Sequence, residues 1–171
     1  QSHFVMLITN NEVIAHRGAW KRKRLPQNSI AALKAAIALG CAGSETDVQM
    51  TTDSDLVINH DRAWGGLPVQ KSTLKELQKT KLSNGELLPV LADFLNIIRQ
   101  QTGTQLILEI KSSEKGREWA NVTVQKVVKR VQQMKAQSWI IYISFDYEML
   151  KEILKLEPTA NVQYLNGDKT P

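Results

Sequence analysis

A chain of 171 residues with 42% hydrophobic residues can bury one core, and no Pro-, Gly- or Ser-rich stretch divides it, so residues 1–171 are read as a single domain. Its 22 basic and 17 acidic residues give a net charge of +5, which favours an anionic partner without choosing among nucleic acid, lipid headgroup and small phosphate ester. No apolar run approaches the roughly 18 residues of a membrane span, and a single cysteine, Cys41, excludes an internal disulfide and lacks zinc-site spacing.

Short β-branched runs alternate with longer segments of helical period, the pattern of βα units around a parallel sheet. The first predicted strand is Glu12–Ala15, and the helix after it is capped by Asn28 or Ser29, lined by Ile30, Leu33 and Ile37, and ended by Gly40. Strands follow at Gly43–Met50 and Leu56–Asn59. Thr73 and Glu76 then form the T-x-x-E capping box of a second helix, and a third covers Leu91–Arg99. Leu106–Ile110 is the fourth strand, followed by a helix over Glu118–Met134 in which packing overrides several β-branched residues. Ile140–Ser144 is the fifth strand. Asp146 caps the last helix, Pro158 bars its continuation, and Asn161–Leu165 is the sixth strand.

In a β/α barrel the reactive groups project from the C-terminal ends of the strands, and the polar residues here gather at such ends. His16 and Arg17 follow the first strand, Glu45 and Asp47 lie in the second, His60 and Asp61 follow the third, and Glu109 and Lys111 close the fourth. Alternation puts Glu45 with Asp47, and Glu109 with Lys111, on one face. Carboxylates side by side in a buried sheet repel and need a cation, a proton or water. Three oxygen donors, Glu45, Asp47 and Glu109, suit a hard divalent ion, Mg²⁺ or Ca²⁺, better than Zn²⁺. The alternative is that Arg17 and Lys111 neutralise them with no metal. His16 and His60 can serve as general acid and base, while His3 receives no role.

The segments His16-Arg17-Gly18, Leu25-Pro26-Gln27-Asn28-Ser29, Gly43-Ser44-Glu45-Thr46-Asp47-Val48, Val57-Ile58-Asn59-His60-Asp61, Leu88-Pro89-Val90-Leu91 and Leu108-Glu109-Ile110-Lys111, in this order, resemble the glycerophosphodiester phosphodiesterases, as does Ile143-Ser144-Phe145-Asp146. The resemblance runs from about Val13 to Leu165. It implies a TIM-type β/α barrel that hydrolyses glycerophosphodiesters to glycerol 3-phosphate and an alcohol. It assigns His16 and His60 as the acid–base pair, with His16 favoured as base. It gives Glu45, Asp47 and Glu109 to a divalent metal, Arg17 and Lys111 to the substrate phosphate, and residues 64–86 to an insertion over the active site.

Two departures stand out. Gln27 occupies a position where the family usually has Glu, and the family continues through two further strands, so this chain offers about six of eight. The short end implies either a fragment of a longer product or a homo-oligomer pairing across the open barrel edge. A first residue of Gln1, not Met, fits a mature exported protein, so a periplasmic or extracellular location is expected over a cytoplasmic one. Two rival functions are a catalytically impaired barrel that only binds phosphodiesters and, from the run Lys21-Arg22-Lys23-Arg24, a nucleic-acid-binding domain. That run carries no interleaved aromatic residues to stack on bases, which disfavours the second rival.

Overall fold

A computed structural model of the chain describes residues 13–21 and 24–165. Its elements in chain order are β1 (Ile14–Ala15), α1 (Ile30–Ala38), β2 (Gly43–Met50), β3 (Leu56–Ile58), β4 (Ala63–Trp64), β5 (Leu67–Pro68), α2 (Leu74–Leu77), α3 (Leu91–Ile98), β6 (Gln105–Ile110), α4 (Arg117–Gln133), β7 (Ile140–Ser144), α5 (Tyr147–Leu156) and β8 (Asn161–Tyr164). Glu12 and His3 lie outside the described residues.

The main sheet runs β1-β2-β6-β7-β8 with all neighbours on this path parallel, and β3 pairs with β2 as well. All eight residues of β2 are buried, because the strand is covered on both faces. On the outer face Val48 and Met50 join Leu106, Leu108, Ile110, Ile140 and Tyr142 in the main core, which the helices close with residues such as Leu95, Val127 and Ile153. Burial of each such aliphatic side chain contributes about 1.5–3 kcal/mol. On the inner face Ile107, Ile141, Ile143 and Leu165 form a second apolar cluster with Ile14 packed against it. Glu109 follows Ile107 on this face, so the polar end of the barrel stands on an apolar floor.

The six predicted strands are all in the sheet, but the third does not run with the others. β3 pairs antiparallel to β2, in the register Val48↔Ile58, Gln49↔Val57 and Met50↔Leu56. The reason is the connection: residues 51–55 suffice for a hairpin, whereas a parallel return needs about a dozen residues or more. Among the described residues five of the six strands are therefore parallel along the barrel path. Among the described residues no pairing joins β1 to β8.

Helix ends follow the capping chemistry. Ser29, not Asn28, is the N-cap of α1, its Oγ accepting from Ala32 N–H at 2.9 Å. Thr73 and Glu76 close the predicted box on α2, and Asp146 accepts from Glu148 and Met149 at the start of α5. Residues 64–86 hold the β4–β5 hairpin and α2 and build a small core from Val69, Leu77 and Leu82 with Val57 and Leu88. Glu86 ties this segment to α1: its carboxylate accepts from Ile30 N–H at 2.8 Å and Ala31 N–H at 3.2 Å.

Candidate active site

β1 ends in a tight turn at His16-Arg17-Gly18. Arg17 and Gly18 both have positive φ, 54° and 78°. A Cβ on Gly18 would lie 2.6 Å from Ala32 Cβ and 2.7 Å from its backbone carbon, so only glycine lets the turn press against α1. The turn brings two groups to one buried oxygen: Arg17 N–H donates to Glu45 Oε2 at 3.2 Å, and His16 Nε2 lies 3.5 Å from the same atom.

The Arg17 side chain runs along the cluster, its Nε 3.9 Å from Asp47 Oδ2 and its Nη1 donating to Gln27 Oε1 at 2.7 Å. Gln27 thus keeps the acceptor that a glutamate would offer, without the charge. Asn28 adopts φ 58°, and its amide donates to Asp47 Oδ2 at 3.0 Å while accepting from Thr46 Oγ1 at 2.8 Å. In the sequence Asn28 reads as a possible helix cap and as part of a family-like segment, with no role in the site. Its place in the site depends on that left-handed turn, for which Asn is among the better-suited side chains.

Asp47 lies directly opposite Glu109 in the β2–β6 register. Lys111 Nζ stands 2.9 Å from Glu109 Oε2 and 3.7 Å from Asp47 Oδ1. Glu45, Asp47 and Glu109 each offer a carboxylate oxygen within 4.8 Å of the others, and all three are buried. Burial first, and then the charges of Asp47 and Glu109, pushes the Glu45 carboxyl well above the usual carboxylate range. Glu109 is raised too, by burial and by Asp47, with Lys111 opposing.

The donor set fits a divalent metal. Two cationic side chains face three carboxylates, so beyond Arg17 and Lys111 one further charge must be met, by a proton on the raised Glu45 or by a metal. Asp47 Oδ1 and Glu109 Oε2 are buried without a hydrogen bond, Lys111 being near both but well aligned to neither. Oxygens in this state are costly unless a cation meets them, and Lys111 reaches Glu109 Oε2 at 2.9 Å but Asp47 Oδ1 only at 3.7 Å.

His60 stands apart from this cluster. It follows β3, and its Nδ1 lies 2.8 Å from Asp61 Oδ1, which leaves Nε2 free. It makes no direct bond to the carboxylates, although its charge acts on both His16 and Glu109. Gln49, next after Asp47 on the same face of β2, fixes the loop by donating to the carbonyls of Asn59 and Asp61, both at 2.8 Å. The basic run is only partly described. Lys21 is exposed, and Arg22 and Lys23 lie outside the described residues.

Residues 16–171 match the model of the Glycerophosphoryl diester phosphodiesterase family. The chain belongs to this family. A glycerophosphodiester phosphodiesterase from Caldanaerobacter subterraneus subsp. tengcongensis is 32% identical over 165 residues, covering 90% of this chain and 65% of that protein. The crystal structure of a glycerophosphodiester phosphodiesterase from Parabacteroides distasonis superposes with a TM-score of 0.88 at 40% identity, over 94% of this chain and 67% of that one. A phosphodiesterase from Oleispira antarctica, solved in complex with the product sn-glycerol-3-phosphate, gives a TM-score of 0.78 at 28% identity, over 90% of this chain and 65% of that one. The chain thus spans about two thirds of the length of these relatives, and the fold is that of the family's β/α barrels.

Proposed function

We propose that this glycerophosphodiester phosphodiesterase family chain carries the catalytic centre for hydrolysis of glycerophosphodiesters to glycerol 3-phosphate and an alcohol. The observation that carries the reading is the buried cluster of Glu45, Asp47 and Glu109, set between Arg17 and Lys111, with two of its oxygens lacking hydrogen bonds. The complex of the Oleispira antarctica relative with sn-glycerol-3-phosphate supports the substrate class.

Glu45, Asp47 and Glu109 would hold a divalent ion, Mg²⁺ or Ca²⁺, which when bound supplies Lewis-acid polarisation of the phosphoryl oxygens. Arg17 and Lys111 would bind the same phosphate by charge-assisted hydrogen bonds and stabilise the charge that builds during displacement. His16 acts as the base. Burial and the neighbouring Arg17 lower its pKa, which keeps the imidazole unprotonated at neutral pH. It removes the proton from the attacking hydroxyl as the new O–P bond forms; where that hydroxyl is the substrate's own, the cyclic phosphate produced is opened by water in a second displacement that gives glycerol 3-phosphate. His60, held through Nδ1 by Asp61, gives its Nε2 proton to the alcohol oxygen as the old P–O bond breaks.

The test is enzymatic release of glycerol 3-phosphate from several glycerophosphodiesters, with and without chelator. Release that stops on chelation and returns with Mg²⁺ or Ca²⁺ is expected. Full activity in excess chelator would remove the metal, and no release from any diester would remove the activity.

A further inference from the structure

Gln49 and Gln70 are buried amides, 0% and 4% exposed, that the chemistry above does not use. Gln49 Nε2 spans the His60 loop, donating to the carbonyl oxygens of Asn59 and Asp61. Its Oε1 accepts from Gln70 Nε2 at 3.3 Å, and the same Gln70 nitrogen donates to the Ser112 carbonyl oxygen at 3.1 Å. Gln70 Oε1 in turn accepts from Glu114 N–H at 2.9 Å. Ser112 directly follows Lys111, so two side chains bridge the His60 loop to the loop that leaves Lys111.

The network holds in one orientation. Each glutamine nitrogen meets acceptor oxygens with both its protons, so turning either amide over would set oxygen against oxygen. Gln70 is fixed from behind as well: Val69 before it is fully buried, and Val69 N–H donates to the Arg62 carbonyl oxygen at 2.9 Å. Arg62 adds a second, more exposed link between the same two loops. Its Nη1 donates to the Ser112 carbonyl oxygen at 2.6 Å and its Nη2 to Ser112 Oγ at 2.8 Å, with Nε 3.5 Å from Glu114 Oε1. A buried network with every member satisfied is rigid, whereas loops at strand ends are otherwise among the more mobile parts of a fold.

We infer that Gln70, acting through Gln49 and backed by Arg62, is a positioning residue that sets His60 at a fixed distance from Lys111. Its consequence for turnover rests on the reading of His60 as proton donor to the departing oxygen and of Lys111 as a phosphate ligand. A donor displaced from the phosphate fails in the transition state more than in binding, and fails most for a leaving group that cannot depart without the proton.

Gln70→Leu in the full chain tests this. Gln70 makes no hydrogen bond to His60, yet its replacement should shift the His60 ring-proton signals in NMR, with His60→Ala assigning them. On an unactivated glycerophosphodiester kcat should fall about tenfold with KM kept within about twofold, whereas bis(4-nitrophenyl) phosphate, whose leaving group needs no proton, should lose no more than about twofold. Arg62→Gln alters a side chain 43% exposed and empties no buried site, so it serves if the Gln70 variant does not fold; it should give the same pattern at about threefold. Equal losses on the two substrates, or His60 signals unmoved in a folded variant, overturn the inference. If the unaltered chain cleaves neither substrate, the phosphodiesterase reading falls, and the His60 signals alone decide whether the two loops are linked.

Discussion

The Asn28 amide donates to Asp47 Oδ2 at 3.0 Å, from a backbone held at φ 58°, while Asp47 Oδ1 lies 3.7 Å from Lys111 Nζ. Partners of this kind orient a ligand and commonly carry about 10- to 100-fold in metal affinity. Asn28→Ala should weaken Mg²⁺ or Ca²⁺ binding by about tenfold or more in calorimetric titration, with the circular dichroism spectrum kept. Unchanged affinity would make the bond incidental.

Asp47→Ala removes the carboxylate central to the site and should abolish divalent-ion binding outright. Asp47 faces Glu109 across the β2–β6 register and meets Arg17 and Lys111, so its loss misplaces the remaining ligands as well. Residual binding at near-native affinity would show that the ion sits elsewhere.

The raised carboxyls of Glu45 and Glu109 link metal binding to pH. A carboxyl whose pKa is higher folded than unfolded adds stability at acid pH, and that stability is lost as pH rises through the folded value. A bound divalent ion displaces the proton and replaces its effect. The increase in Tm on adding Mg²⁺ or Ca²⁺ should therefore grow as pH is raised from about 5 to 8, and binding should release protons in paired-buffer calorimetry. An increment independent of pH would show that both groups are already ionised without metal.

His16→Ala and His60→Ala should each lower turnover by about 10² or more on an unactivated diester, with thermal unfolding little changed. Asp61→Asn should give a smaller loss, because the 2.8 Å bond to His60 Nδ1 is weakened but not removed. A histidine variant with near-normal turnover assigns that side chain to structure.

Much of this was legible in the sequence, because alternation along β2 and β6 obliges Glu45 with Asp47, and Glu109 with Lys111, to share a face. The capping box at Thr73 and Glu76 is equally local and could be read directly. The strand pattern groups β3 with the parallel strands, although the five residues of its connection hold the signal for a hairpin. Asn28 in the site was harder to see. It depends on three features acting together: the turn at Gly18 packed on Ala32, the cap at Ser29, and a left-handed backbone that swings the amide inward. Gln49 acts on the Asn59 and Asp61 carbonyls, which only the hairpin of β2 with β3 brings near.

The bond from Glu86 to the first turn of α1 makes the segment that presents Trp64 and the helix beneath the His16 turn mechanically one piece. Hybrids that exchange residues 64–86 between relatives are therefore not simple transplants. A donor segment lacking an acceptor at position 86 would leave Ile30 and Ala31 N–H uncapped, and the disturbance would travel through Ala32 to Gly18 and the His16 turn. The 64–86 segment and the turn that carries His16 are thus joined through a single carboxylate, that of Glu86.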